Sequence, residues 1–153
     1  MSQTTVTKVD MKFEVAIVPV SDVDRAKGFY SKLGWRVDDD IVNGNDFRAV
    51  QLTPPGSAAS VTFGKGVTDA RPGSFRGGLV VSDIVAAHKH IVASGVEATD
   101  VFHGSPFSPE ARISGPDPAR KSYSSYVAFQ DPDGNAWIVL EVTQRVPGRE
   151  LPN

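Results

Sequence analysis

The alternation of apolar and polar positions divides the chain into two stretches that read alike. From Lys12 to Val20, Phe13, Val15 and Ile17 fall on one face and Glu14, Ala16 and Val18 on the other. Apolar residues on both faces are the pattern of a strand covered on two sides. The period then becomes helical, with Val23, Ala26, Phe29, Tyr30 and Leu33 at three- and four-residue spacing. Ser21 is the expected cap, Asp22 and Asp24 lie at the positive end of the helix dipole, and Gly34 supplies the left-handed stop. Strands are predicted over Trp35 to Asp40, Phe47 to Thr53 and Ser60 to Phe63, broken by a turn at Val42-Asn43-Gly44-Asn45 and by Pro54-Pro55-Gly56.

The second stretch repeats that order. Gly78 to Val81 reads as a strand and Ser82 as a cap. Asp83 to Ser94 reads as a helix burying Ile84, Ala87, His88 and Ile91. Further strands are predicted over Val96 to Phe102, Tyr123 to Gln130 and Asn135 to Val142, the last two joined by the tight turn Asp131-Pro132-Asp133-Gly134. Val20-Ser21-Asp22 returns as Val81-Ser82-Asp83, and Gly34 as Gly95, both at an offset of 61 residues. Landmarks that keep one offset indicate a duplicated unit. The expected organisation is one domain, 1–153, with a first module over about 11–64, a link at 65–75, a second module over about 76–143 and a polar tail at 144–153. Residues 1–10 read as a frayed lead-in. The stretch from His103 to Lys121, with four prolines, is long for a plain connection and reads as a functional loop.

Composition narrows the partners. A net charge of -2 gives no electrostatic case for nucleic acid or an anionic membrane. No apolar run approaches the roughly 20 residues of a membrane span, and Met1 to Asp10 lacks the apolar core of a secretory signal. A cytoplasmic location is the default expectation. With no cysteine there is neither a disulfide framework nor a thiolate nucleophile or ligand.

Three motifs in order, Val20-Ser21-Asp22, then Phe29-Tyr30 with Leu33-Gly34-Trp35, then Phe129-Gln130-Asp131-Pro132-Asp133-Gly134-Asn135, resemble the vicinal oxygen chelate superfamily. This is the group of glyoxalase I, bleomycin-resistance proteins and extradiol dioxygenases, and the likeness runs from about Lys12 to Val142. It implies an α+β fold of two βαβββ modules forming an open, cupped eight-stranded sheet, with helices on the convex face, and often a homodimer. Metal-dependent members carry histidine, glutamate or glutamine on the first and fourth strands of each module. Carried over, those positions fall at Val15, within Ser60 to Phe63, at Gly77 and at Ile138, none of which supplies such a ligand. The metal centre is therefore expected to be lost, and no cofactor is expected.

The residues expected to face a ligand are Val15, Gln51, Phe63, Leu79, Ile138 and Leu140, with Ile17 beside them and His103 and Tyr123 at the loop. His103, where a strand gives way to the loop, is the candidate acid–base residue. His88 and His90 lie two apart on a helix and point in different directions, so one is expected packed and the other solvated. Glu14 and Glu141 have the parity opposite to Val15 and Ile138; Glu14 reads as a structural contact facing the helices or an edge, and Glu141 as an edge or interface contact. Trp137 reads as core, Tyr126 as a second hydroxyl near the loop, and Arg112 and Arg120 as loop arginines able to meet an anion. The function expected is metal-free binding of an apolar or aromatic small molecule, for sequestration or sensing, on the analogy of bleomycin resistance. The alternative is a glyoxalase-like lyase or isomerase, or a dioxygenase. Such an enzyme would be metal-dependent if the strand register differs, or would use metal-free acid–base chemistry through His103.

Overall fold

The structure, a computed structural model, describes residues 8–149. The lead-in before Lys8 and the end of the polar tail, at 150–153, lie outside the described residues. The first module runs β1 (Val15–Ile17), α1 (Val23–Lys32), β2 (Arg36–Asn43), β3 (Phe47–Thr53) and β4 (Ser60–Lys65). The second runs β5 (Arg76–Val81), α2 (Ile84–Ala93), β6 (Phe102–Gly104), a 3₁₀ turn at Pro109–Ala111, β7 (Arg112–Ser114), β8 (Tyr126–Gln130) and β9 (Ala136–Glu141). Each module has its own open sheet, in the orders β1-β4-β3-β2 and β5-β9-β8-β6-β7. The first strand of each module pairs in parallel with the last, and the other pairings are antiparallel. This is the expected α+β architecture of two βαβββ modules. A ninth strand arises because part of the proline-rich stretch folds back as the β6–β7 hairpin.

The repeat is visible in the backbone. Both helices have ten residues and begin and end 61 positions apart. Gly34 and Gly95 close them at φ 87° and 83°. Their caps are Asp22 and Asp83 rather than the serines before them. Each aspartate has extended backbone angles, and its carboxylate accepts the free N–H of Arg25, or those of Val85 and Ala86. Ser21 is otherwise engaged: its hydroxyl donates to Asp133 at 2.5 Å. The strand expected over Val96 to Phe102 is interrupted. Ala98 bridges Phe129 and Phe102 pairs with Tyr126, so one extra residue on the 98–102 side forms a bulge before β6. β1 is shorter than its apolar run, since only β4 lies beside it and Pro19 ends it.

One core serves both modules. α1 sets Tyr30 beside Phe63 of β4 and Trp137 of β9, and Phe29 beside Phe129 of β8. The turn before β9 locks this arrangement. Asp131 accepts the Tyr30 hydroxyl and the Asn135 amide, both at 2.8 Å, and the backbone N–H groups of Asp133 and Asn135 at 3.0 Å. The Asn135 side-chain amide also donates to the Pro19 carbonyl at 2.8 Å, and its Oδ1 accepts the Phe75 N–H at 3.0 Å. The Trp137 indole donates to Tyr30 at 3.0 Å. Burial, reinforced by Asp131, raises the Tyr30 pKa far above the usual tyrosine range, so the hydroxyl stays a donor. A second bolt joins α2 to β9. Buried Glu141 accepts the first helical N–H, from Ile84, at 2.8 Å and the Arg120 guanidinium at 2.5 Å. It is a buried contact on an interior strand, not the edge or interface contact expected from its parity.

Tyr30→Phe removes one hydroxyl that serves both Asp131 and Trp137, leaving the buried Trp137 indole N–H unpaired and Asp131 with three donors in place of four. A loss of about 2 kcal/mol is expected in urea denaturation, with little change in the shape of the native spectrum. Hydrogen bonding from Arg120 lowers the Glu141 pKa, and partners Arg48 and Arg36 lower those of Asp40 and Asp38. A depressed folded pKa stabilises the fold above the unfolded carboxylate value and loses that contribution as pH falls through the folded one. Stability should therefore fall on acidification below about pH 4.5, with a shallower slope in Glu141→Gln.

Candidate functional site

Strand register decides which side chains are free to meet a ligand. In the first sheet Ile17 is level with Thr62 and Thr62 with Gln51, while Val15 is level with Ser60. These residues share one face with Ala49, Phe47 and Ile41. The helices do not cover it: Val15 is 38% exposed, Ile17 40% and Ile41 49%. In the second sheet Gly78, Ile138 and Ala128 stand in one row, and Val80, Leu140, Tyr126 and Phe102 in the next. This face too lies away from the core, which takes Val127, Phe129, Trp137 and Val139 from the opposite parity.

The second face is shaped into two open clefts. One, of about 520 Å³, is floored by Ile138 and Leu140 and overhung by Pro106 and Phe107 of the loop. Phe107 is 87% exposed, a large apolar side chain left open to solvent above the cleft. The other, of about 590 Å³, holds Arg112, Ala128, Gln130 and Thr99, with Glu97 at its rim. The two share Ala136 and Ile138. Arg112 lies on β7 opposite Gly104 and stacks on the Phe102 ring at 4.4 Å.

The expected site residues divide by parity. Val15 and Gln51 lie on the free face of the first sheet, and Ile138 and Leu140 on that of the second. Phe63 and Leu79 point the other way. Phe63 is level with Val50, is wholly buried and meets Tyr30, and Leu79 is level with Val139 and packs against the core. His103 follows Phe102 on β6, so its side chain takes the opposite face. There its Nδ1–H donates to the Gly115 carbonyl at 2.7 Å and ties the hairpin to the following turn. Tyr123 precedes β8 with φ at 70°, and its hydroxyl is buried without a hydrogen-bond partner among the described residues. Its carbonyl accepts the Tyr126 hydroxyl at 2.5 Å. His90 donates to the Leu33 carbonyl at 2.9 Å and His88 approaches Asp100 at 3.9 Å, so both serve the helix layer. Arg120 is committed to Glu141. Residue patterns alone did not single out Phe102 and Phe107. The pairing of β6 that brings Phe102 onto this face is fixed by the bulge, which no short-range pattern marks.

The metal positions of metal-dependent relatives find no donors here. On the free faces they correspond to Val15, Ser60 or Thr62, Gly78 and Ile138, since Ile138 is level with Gly78 rather than Gly77. A side chain at Gly77 would collide with Phe75 at 2.6 Å and Trp137 at 2.9 Å. Among the described residues no three His, Cys, Asp or Glu side chains gather where they could hold an ion. The residues present do not fit the group.

Two βαβββ modules with uncovered sheet faces, bound through an Asp-Pro-Asp-Gly-Asn turn, define a protein of the vicinal oxygen chelate type. The chain belongs to the Glyoxalase/Bleomycin resistance protein/Dioxygenase superfamily, whose family model matches residues 12–139. Among solved structures it is similar to TnmS3, an antibiotic binding protein from Streptomyces sp. CB03234. The identity is 26% and the TM-score 0.66, over 90% of this chain and all of that one. A glyoxalase/bleomycin resistance protein from the same organism is 27% identical with a TM-score of 0.62, over 85% of this chain and all of that one. A superfamily member from Sphaerobacter thermophilus DSM 20745 is 25% identical with a TM-score of 0.63, over 86% and 98%. No curated protein matches the chain. No helix among the described residues is long and apolar enough to cross a membrane.

The parity assignment has a direct check. Phe63→Ala should cost about 4 kcal/mol in denaturant unfolding, because it opens a cavity in a closed core. Ile17→Ala, on the free face of the neighbouring strand, should change the stability of the isolated protomer by no more than about 1 kcal/mol.

Proposed function

We propose that this protein is a metal-free binder of apolar or aromatic small molecules, acting as a homodimer in the cytoplasm by sequestration or sensing. The observation that carries the reading is the pair of largely apolar sheet faces turned away from the core. Val15, Ile17, Ile41 and Phe47 front the first sheet; Val80, Ile138, Leu140 and overhanging Phe107 front the second. Uncovered apolar surface of that extent on two sheets asks for an occupant. Folding the first face of one copy over the second face of another would enclose the clefts and bury the flat face, once in each half of a two-fold dimer. Gln51 and Thr62 on one wall and Gln130 on the other would supply the few polar groups that orient a ligand. TnmS3 binds an antibiotic, and that likeness supports a ligand of comparable chemistry here. Burial of apolar ligand surface at roughly 25 cal/mol per Å² would drive binding, less the cost of ordering.

Catalysis of the glyoxalase or dioxygenase kind has no electrophile in this reading, since the metal-ligand positions hold Val15, Ile138 and a glycine. His103 keeps one ring nitrogen for Gly115 and is expected to order the hairpin.

The test is binding of the neutral aromatic probe N-phenyl-1-naphthylamine, followed by fluorescence with and without EDTA, alongside sedimentation equilibrium. Dimeric protein that binds one probe per protomer regardless of EDTA is expected. Ile17→Lys with Ile41→Lys should shift the protein towards monomer and weaken probe binding at least tenfold. Binding abolished by EDTA and restored by a divalent ion would instead favour the metal-dependent reading.

A further inference from the structure

The cleft that contains Arg112 holds a positive charge for which the described residues provide no counter-ion. The Arg112 guanidinium is partly buried, its Nε is cut off from solvent, and that nitrogen has no hydrogen-bond partner among the described residues. Its companion is the Phe102 ring at 4.4 Å, which steadies a cation without neutralising it. Nearby carboxylates do not fill the gap. Asp131 reaches the cleft wall but spends both oxygens on Tyr30, Asn135 and the turn, and Glu97 is exposed at the rim, with no ion pair to Arg112. Arg76, at the far end of the adjoining apolar cleft, is bound to the carbonyls of Gly73, Phe75 and Gly134 and not to an acid. Both ends of the continuous surface therefore carry positive charge, with Ala136, Ile138 and Leu140 between them.

Withdrawing a guanidinium from water is costly unless a partner replaces the lost hydration. A planar fork of N–H donors matches an oxyanion, and a neutral group would satisfy it poorly. The geometry points to Arg112 as the receptor for an acidic group on the ligand, so that the molecule bound is an amphiphile: an aromatic or apolar body with a carboxylate, phenolate, sulfate or sulfonate. The body rests on Ile138 and Leu140 beneath Phe107, and the oxyanion bridges to Arg112 across Ala128. Gln130, exposed on the same row as Ala136, lies where its amide can donate to the oxyanion. This inference rests on the small-molecule-binding reading above and names the chemical class of that site's ligand.

Two probes with the same body and different charge separate the questions. 1-Anilinonaphthalene-8-sulfonate carries an anionic group, and N-phenyl-1-naphthylamine is its neutral counterpart. The dimer is expected to bind the sulfonate at least tenfold more tightly, at one per protomer, with an affinity that falls as potassium chloride is raised. Arg112→Gln should lose that tenfold preference and leave the affinity for the neutral probe unchanged, which also shows that the variant is folded. Arg112→Lys, which keeps the charge and loses the fork, should retain part of the preference. An unchanged sulfonate affinity in Arg112→Gln, or an equal loss for both probes, would overturn the assignment while leaving the apolar site standing. Wild-type protein that binds neither probe would overturn the site and the inference together.

Discussion

Asp131 brings a carboxylate into the centre of the core, and four donors meet it there. A buried charge is tolerable only when its lone pairs are filled, so the geometry around Asp131 has little freedom. Tyr30 must present its hydroxyl from α1, and this sets the helix against Phe63 on one side and Trp137 on the other. Asn135 must hold Pro19 and Phe75, and this fixes the exit of β1 and the entry of β5 relative to β9. Ser21 and Arg25 close the same turn from outside through Asp133. The turn and the Trp137 beside it carry most of the polar coupling between the modules, and His90 on the Leu33 carbonyl adds a contact between the helices. Which side of each sheet faces the core, and which is left for a ligand, follows from that coupling.

Much of this was legible in the chain. The helices, their glycine stops and the 61-residue repeat depend on local periodicity, and local periodicity survives folding intact. The caps fall one residue later than expected in both copies: Ser21 is held by Asp133, 112 positions away, but Asp83 caps the second helix with no such partner on Ser82 among the described residues, so the aspartate cap is a property of the repeat itself. Inward and outward faces were harder. A strand apolar on both parities, as at Phe63 and Leu79, does not say which parity meets the helices. The answer lies in pairing, through Phe63 level with Val50 and Leu79 level with Val139. The cleft containing Arg112 was hidden most deeply, because a one-residue bulge and a short hairpin inside a proline-rich stretch together bring Phe102 and Arg112 onto one face.

The arrangement separates the parts that hold the protein together from the parts available to a ligand. Polar groups that could perform acid–base chemistry are largely spent on structure: Glu141 on α2 and Arg120, Asp131 on the turn, His103 on Gly115, His90 on Leu33. What remains on the free faces is largely apolar, with a small number of amides and hydroxyls and the guanidinium groups of Arg76 and Arg112. Such a surface selects by shape, apolar area and positive charge. In the proposed function that surface serves recognition of a ligand, for which shape and apolar area matter most.

The β6–β7 hairpin has no counterpart in the first module, and neither Phe102 nor Arg112 belongs to the shared core cluster. Duplication therefore left two sheets of common plan, and an insertion in one of them broke their equivalence. A plain wall and a decorated wall came from the same ancestral unit. Substitutions in the hairpin can retune which molecules are held without disturbing the turn that fastens the modules together, so selectivity and foldability are free to evolve on separate schedules.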